Sequence, residues 1–254
     1  MARLAQMAYA TAAYLLFLGV FLYAIAFVGD IFVPKTIDSG PSGPTLSALA
    51  IDALLLGVFA VQHSVMARPA FKRWWTRVVS PAIERSTYVL ASSLALALLF
   101  WQWRPIGGVV WALNGLAGET VLGAFVLGWL IVLASTFMLS HFELFGLSQA
   151  YAALRARAAG PMQFRTPMLY GLVRHPIMLG FIIAFWAAPV MSVGRLVFAI
   201  ATTLYILIAL QFEEADLMAS FGTAYASYRG RVPMLLPFTR WRSAPATGAP
   251  TIQR

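Results

Sequence analysis

Four apolar runs of about twenty residues, at 7–29, 46–66, 87–104 and 120–141, and a longer one at 177–212 decide what this chain can fold into. Each of the first four matches the ~20 residues that a helix needs to cross a bilayer. Inside hydrocarbon every backbone amide must find its partner within the protein, which leaves helices or a closed barrel. A barrel would alternate apolar and polar residues along each segment, whereas these runs are solidly apolar. As one helix the last run would be roughly 54 Å long at 1.5 Å per residue, too long for a single crossing. Pro189, Gly194 and Arg195 interrupt it, so it reads as a hairpin with two rather short arms. The expectation is an all-α integral membrane protein: a bundle of five to six transmembrane helices with a C-terminal helical hairpin and a cytoplasmic amphipathic helix.

Charge orients the bundle. Only 11% of the residues are charged, against about 25% in a soluble domain. The net charge of +9 therefore reads as a loop signature rather than a nucleic-acid surface. Loop 67–86 carries Arg68, Lys72, Arg73, Arg77 and Arg85 against Glu84. Loop 142–176 carries Arg155, Arg157, Arg165 and Arg174 against Glu143. The alternate loops hold only Lys35 with Asp30 and Asp38, and Glu119. The positive-inside rule then makes the N-terminus, both basic loops and the C-terminal tail cytoplasmic. The chain has no cysteine, which excludes disulfides, thiolate metal sites and a cysteine nucleophile. Arg3 alone is a weak n-region, so Ala24-Ile25-Ala26 does not read as a used signal-peptidase site. Beyond the hairpin, Leu217, Phe221, Tyr225 and Tyr228 fall on one helical face, as in a helix lying at the cytoplasmic surface. Gly160-Pro161 ends an Ala/Arg-rich stretch at 151–159 that reads as a short interfacial helix, and 243–254 reads as a disordered tail. The whole is one domain, 1–242, with a four-helix part at 1–150 and a C-terminal unit at 164–237.

This orientation brings Gln62-His63-Ser64, His141-Phe142-Glu143, Arg174-His175-Pro176 and Gln211 to Glu214 to one membrane surface. All three histidines and the acidic pair share that level, and such clusters persist at a membrane where they are used. Each residue also has a plainer reading. Arg174 alone is a snorkelling anchor, and Pro176 suits the first turn of a helix. Glu213 and Glu214 suit a solvated helix end, and His63 or His141 alone a hydrogen-bonded structural histidine. Asp52 sits near the outer end of its span, where packing or pairing is the simpler role. The tryptophans Trp74, Trp75, Trp101, Trp103 and Trp111 read as interfacial anchors. His63, His141 and Glu143 are of metal-ligand type, but His141 and Glu143 stand two apart and face different sides of a helix, so no metal site is assigned.

The segment from Tyr170 through Gly171-Leu172-Val173-Arg174-His175-Pro176-Ile177-Met178-Leu179-Gly180, followed by Glu213-Glu214-Ala215-Asp216-Leu217, Phe221-Gly222, Tyr225, Tyr228-Arg229 and Arg231, resembles the integral-membrane methyltransferases. These include isoprenylcysteine carboxyl methyltransferases and phospholipid N-methyltransferases, whose pattern is Arg-His-Pro-x-Tyr-x-Gly before a Glu-Glu pair. Met178 stands where that pattern has an aromatic. The resemblance implies S-adenosylmethionine bound between the final hairpin and the C-terminal helix. Its candidate wall is Tyr170, Arg174, His175, Pro176, Leu179, Gly180, Glu213, Glu214, Tyr225, Tyr228, Arg229 and Arg231.

Over residues 9–237 the chain looks like the bacterial methanethiol S-methyltransferases. The carrying segments are Phe27-Val28-Gly29, Val33-Pro34-Lys35, Phe59 to Arg68, Glu84 to Tyr88, Trp101 to Pro105 and His141 to Gly146. This implies methylation of a small thiol to dimethyl sulfide, with S-adenosylhomocysteine as second product, at the bacterial inner membrane. Such a thiol must lose its proton, and histidine is tuned for that range. His141 is the first candidate base, with Glu143 or His63 as orienter or alternative. Two other readings stand beside this one. A methyltransferase for an isoprenylcysteine carboxylate or a phospholipid amine would need a long lateral groove. A transporter or sensor would show polar residues running through its spans, or repeated halves.

Overall fold

The computed structural model describes residues 1–41, 43–157, 164–237 and 239. In chain order its helices are α1 (Ala2–Gly29), α2 (Thr45–Ala67), α3 (Pro69–Trp75), α4 (Glu84–Gln102), α5 (Gly115–Leu139), α6 (His141–Leu144), α7 (Leu147–Leu154), α8 (Pro176–Trp186) and α9 (Val193–Arg231). A 3-10 turn spans Met168–Gly171, and two short strands, β1 (Val109–Ala112) and β2 (Val190–Ser192), pair antiparallel. This is an all-α integral membrane protein, in which α1, α2, α5 and α9 are each long and apolar enough to cross. α4 is less apolar because Ser86, Ser92 and Ser93 are turned inward and buried.

α1 and α4 run parallel. Tyr9 donates to Thr87 near their starts at 3.1 Å, and Phe27 meets Phe100 and Trp103 near their ends. α2 runs back beside α4, with His63 near Ser92 at one end and Asp52 accepting the Arg104 amide at the other. Trp103, Phe27, Phe198 and Trp129 join these helices to α5 and α9 in the main apolar core. At the end of the bundle opposite the basic loops, buried Arg195 donates to Asp38 at 2.5 Å, and Ser192 donates to the same carboxylate. Trp103 donates to the Ile37 carbonyl at 3.0 Å. The segment between α1 and α2 is thus clamped onto the start of α9.

The hairpin differs from the sequence expectation, because its arms are unequal. α8 has 11 residues, so it reaches only roughly 16 Å at 1.5 Å per residue and does not span. α9 has 39 residues. The turn between them is fixed where Ser192 caps α9 by accepting the Arg195 amide, and nothing breaks α9 again before Gly222. The loop 105–114 supplies β1, which pairs with that turn and satisfies its backbone groups. The amphipathic stretch begins on α9 and crosses a kink at Gly222, whose φ of 52° and ψ of −124° are non-helical and suit glycine. Beyond it a second helical segment carries Tyr225 and Tyr228 to Arg231. The Ala/Arg-rich stretch is helical only to Leu154. Gly160-Pro161 and the tail 243–254 lie outside the described residues.

The short α8 is held in place by α5. A Cβ on Gly180 would meet the Gly128 carbonyl at 2.7 Å, and a Cβ on Gly128 would meet the Gly180 carbonyl at 2.7 Å. Small residues let backbones approach this closely inside a membrane. Neither carbonyl can yield without moving its helix. Gly180→Val is therefore expected to destabilise the protein by about 1–3 kcal/mol or more, the usual range for overpacking. A thermal melt in detergent that matches the parent would show that the contact is looser than this.

Candidate active site

Arg174, His175, Glu213 and Glu214 come together where α8 begins and α9 leaves the apolar layer. Glu214 is the centre, with only 8% of its side chain exposed. Arg174 approaches its Oε1 through Nε at 2.7 Å and Nη2 at 2.6 Å. His175 Nε2 lies 3.1 Å from the same oxygen, and Arg229 Nε 3.4 Å from Oε2. The remaining Arg174 donor reaches the carbonyls of Val232 at 2.6 Å and Arg229 at 3.2 Å. The backbone repeats the connection, because the Arg174 and His175 amides donate to the Pro233 and Met234 carbonyls. This buried carboxylate therefore binds the entry to α8, the body of α9 and the chain beyond α9.

Glu213 behaves differently. Its side chain is 45% exposed and stands 3.8 Å from His175 Nδ1, too far for a direct hydrogen bond. Tyr228 donates to the Tyr170 carbonyl at 2.6 Å, and Tyr170 donates to the Ser135 carbonyl at 3.4 Å. Burial, with the charge of Glu213 and then Tyr228 nearby, pushes the Tyr170 phenol above its usual range, so it stays a donor. Tyr225 Oη is buried beside Glu214 without a hydrogen bond of good geometry among the described residues. Phe164 packs on Phe221, Tyr225 and Tyr228.

Other sequence candidates fall into supporting positions. Pro176 opens α8, and Leu179 and Met178 pack against Ile206, Leu210 and Leu235. Gly180 is used against α5. Arg231 donates to the Ser227 carbonyl of its own helix at 3.3 Å. The three histidines lie at the same end of the bundle but in three separate surroundings. His141 Nε2 pairs with Tyr14 at 2.9 Å and its Nδ1 with Thr136 at 2.9 Å. Its ring stacks on Phe137 with centroids 4.2 Å apart. Glu143, on α6, does not join the Glu214 cluster, and its backbone carbonyl accepts from Gln149.

His63 stands on α2, which is tied to α9 by side-chain contacts. Tyr88 Oη lies 2.8 Å from its Nε2, and Ser92 Oγ 3.2 Å from its Nδ1. One residue on, Ser64 pairs with Tyr205 of α9 at 3.1 Å. Arg68, at the end of α2, binds Asp216 at 2.9 Å, one helical turn from Glu213. Sequence reasoning passed over Tyr205 and the pairing of Tyr88 with His63. The available signal for Tyr205 was a polar side chain within an apolar run.

Comparison with known proteins places this geometry. The chain is 56% identical over 244 residues to methanethiol S-methyltransferase 2 of Bradyrhizobium diazoefficiens, covering 95% of this chain and 94% of that one. It is 56% identical over 239 residues to the methanethiol S-methyltransferase of Mycobacterium tuberculosis, covering 94% and 98%. Nurim of Mus musculus is 33% identical over 182 residues, covering 68% and 69%. No family model matches the chain, and no solved structure matches it. Fold and relatives together define a membrane-embedded methyltransferase. The chain belongs to the methanethiol S-methyltransferase family.

Breaking a buried ion pair by removing one partner typically costs about 3–5 kcal/mol. Arg174→Ala, which strands Glu214, is expected to lose stability on that scale in a detergent melt. Glu213→Gln, at a half-exposed site, is expected to stay within about 0.5 kcal/mol of the parent. Equal melts for Arg174→Ala and the parent would contradict a central part for the Glu214 cluster.

Proposed function

We propose that this enzyme transfers the methyl group of S-adenosylmethionine to methanethiol, giving dimethyl sulfide and S-adenosylhomocysteine, at the cytoplasmic face of a bacterial inner membrane. The observation that carries this reading is identity of 50–56% with methanethiol S-methyltransferases over most of the chain. The orientation rests on the basic loops, which lie at the same end as Glu214. The residues present fit the donor. Arg174 and Arg229 against Glu213 and Glu214 make the site nearly charge-neutral, which suits a zwitterion that also carries a cation. Bound S-adenosylmethionine supplies an electrophilic methyl group on a sulfonium sulfur. Glu213, half exposed, would face its ammonium or ribose hydroxyls, and Arg229, 53% exposed, would face its carboxylate. Arg174 is already engaged and acts by holding Glu214.

A thiol with a pKa near that of cysteine, about 8.5, is only a few per cent thiolate at neutral pH. We take His63 as the acceptor of its proton, because Ser64 and Arg68 of its helix bind Tyr205 and Asp216 of α9, the helix that carries Glu213 and Glu214. Both imidazoles have both ring nitrogens engaged, His141 with Tyr14 of α1 and Thr136 of α5, and His63 with Tyr88 and Ser92 of α4. His63 lies beside the Arg68–Asp216 bridge that leads to Glu213. Tyr88 and Ser92 orient its ring and can pass a proton. The closely packed apolar walls then exclude water from the reacting pair.

Two measurements test this reading. Cells that make the protein and receive methanethiol are expected to release dimethyl sulfide, read by headspace gas chromatography. Calorimetric titration of the purified protein with S-adenosylmethionine is expected to show weaker binding in Glu213→Ala and His175→Ala. Donor binding without any dimethyl sulfide would move the substrate to a lipid. His63→Ala is expected to cut turnover by about 10²–10⁴-fold, the usual cost of losing a general base. Its defect should shrink as pH rises, because more thiol then ionises unaided. His141→Ala is expected to lower the melting temperature instead. The opposite pattern, a pH-dependent rate defect in His141→Ala alone, would return the base to α6.

A further inference from the structure

Between α2 and α9 lies a groove of about 210 Å³, lined by Leu56, Phe59, Ala60, Ala201, Thr202 and Tyr205. Drug-sized ligands occupy pockets of about 300–1,000 Å³, so this one fits something smaller. It offers almost no polar contact. The Thr202 hydroxyl is turned back onto the Phe198 carbonyl at 2.6 Å, and the Tyr205 hydroxyl is engaged with Ser64. An amine or carboxylate placed here would lose its water without gaining a partner. The flanking residues on both helices, Val58 and Val61 on α2 and Ile200, Leu204 and Ile208 on α9, are exposed apolar side chains. The groove therefore opens sideways onto lipid.

Its inner end is polar. Phe59 stacks on His63 at 5.1 Å between centroids and meets Tyr205 edge-on at 6.3 Å. Beyond that aromatic pair stand Tyr88 and Ser92 around the imidazole. The Ser64–Tyr205 hydroxyl pair closes the passage between the two helices. A long acyl or isoprenoid chain stops there. The groove, about 210 Å³, has room beside Phe59 for a molecule of two heavy atoms, with His63 on the other face of that ring.

We propose that this groove is the binding and entry site for the small apolar thiol, which partitions into the bilayer and reaches His63 from the lipid side rather than from the cytoplasm. The proposal rests on the methanethiol reading of the active site. It adds that Ala60 and Ala201 set the size of the accepted thiol, and that the thiol and the charged donor enter by different routes.

The test fills the groove. Ala60→Leu combined with Ala201→Leu extends side chains into empty space. The melting temperature and the calorimetric affinity for S-adenosylmethionine are expected to match the parent. In nanodiscs, KM for methanethiol is expected to rise at least tenfold while kcat at saturation changes less than twofold. An unchanged KM in the folded, donor-binding variant overturns the proposal and leaves the groove a crevice for lipid. Saturation-transfer NMR on methanethiol, without donor, reads binding independently of turnover. Signal in the parent and its loss in the variant are expected, and equal signal in both overturns the proposal. If the parent binds donor but makes no dimethyl sulfide, the methanethiol reading fails, and the NMR comparison still decides the groove.

Discussion

Burial of one carboxylate organises the functional end of this protein. Glu214 sits at 8% exposure, where an uncompensated charge would cost several kcal/mol. Arg174, His175 and Arg229 supply the compensation. Arg174 and His175 pair through their amides with Pro233 and Met234. The ion cluster and this short backbone ladder hold the end of the chain against the entry to α8. The first turn of α8 begins immediately after His175. A helix N-terminus carries partial positive charge, so the nearby carboxylates are favoured there as well. Glu213, next in the chain to Glu214, is left half exposed because all the nearby cations are directed at its neighbour.

The length of α8 follows from the same arrangement. A helix of 11 residues does not span a bilayer. Its lost crossing is offset by contact with α5, where Gly128 and Gly180 bring the two backbones together. At the far end β1 pairs with the turn into α9, and Arg195 is tied to Asp38. Both ends of α8 are fixed by elements distant in the chain, so its first turn is held firmly. That firmness serves a site whose charged groups stand at the start of α8.

The apolar spans were legible in the sequence, because apolar runs are properties of contiguous residues. The pairing of Arg174-His175 with Glu213-Glu214 was legible through the motif that carries them. The inequality of the hairpin arms was not. Pro189 and Gly194 show that the run breaks, but the length of each arm depends on where Ser192 caps α9 and on what β1 pairs with. Arg195 was read as a mere interruption, yet it is a buried partner of Asp38, 157 positions away. His141 and His63 looked alike as histidines at span ends. Only packing separates them: Tyr14, Thr136 and Phe137 surround one, and Tyr88, Ser92 and Phe59 the other. Tyr205 was hidden in an apolar run until α9 faced α2.

These separate surroundings bear on how a membrane enzyme handles two substrates of opposite character. The proposed charged donor calls for carboxylates and guanidiniums that are paired or close to water. A small thiol, as proposed here, gains only about 0.8 kcal/mol per buried carbon, a few-fold preference for lipid. α9 serves both needs by its length. Its residues 201–205 face an apolar groove inside the bilayer, and Glu213 and Glu214 lie two to three turns further along, at the surface. At 1.5 Å per residue the step from Tyr205 to Glu214 is roughly 13 Å. A shorter arm, as the sequence suggested, would bring the charged cluster toward hydrocarbon, where each unpaired charge is costly. The long arm lets one helix carry an apolar groove and an ionic cluster without placing either in the wrong solvent.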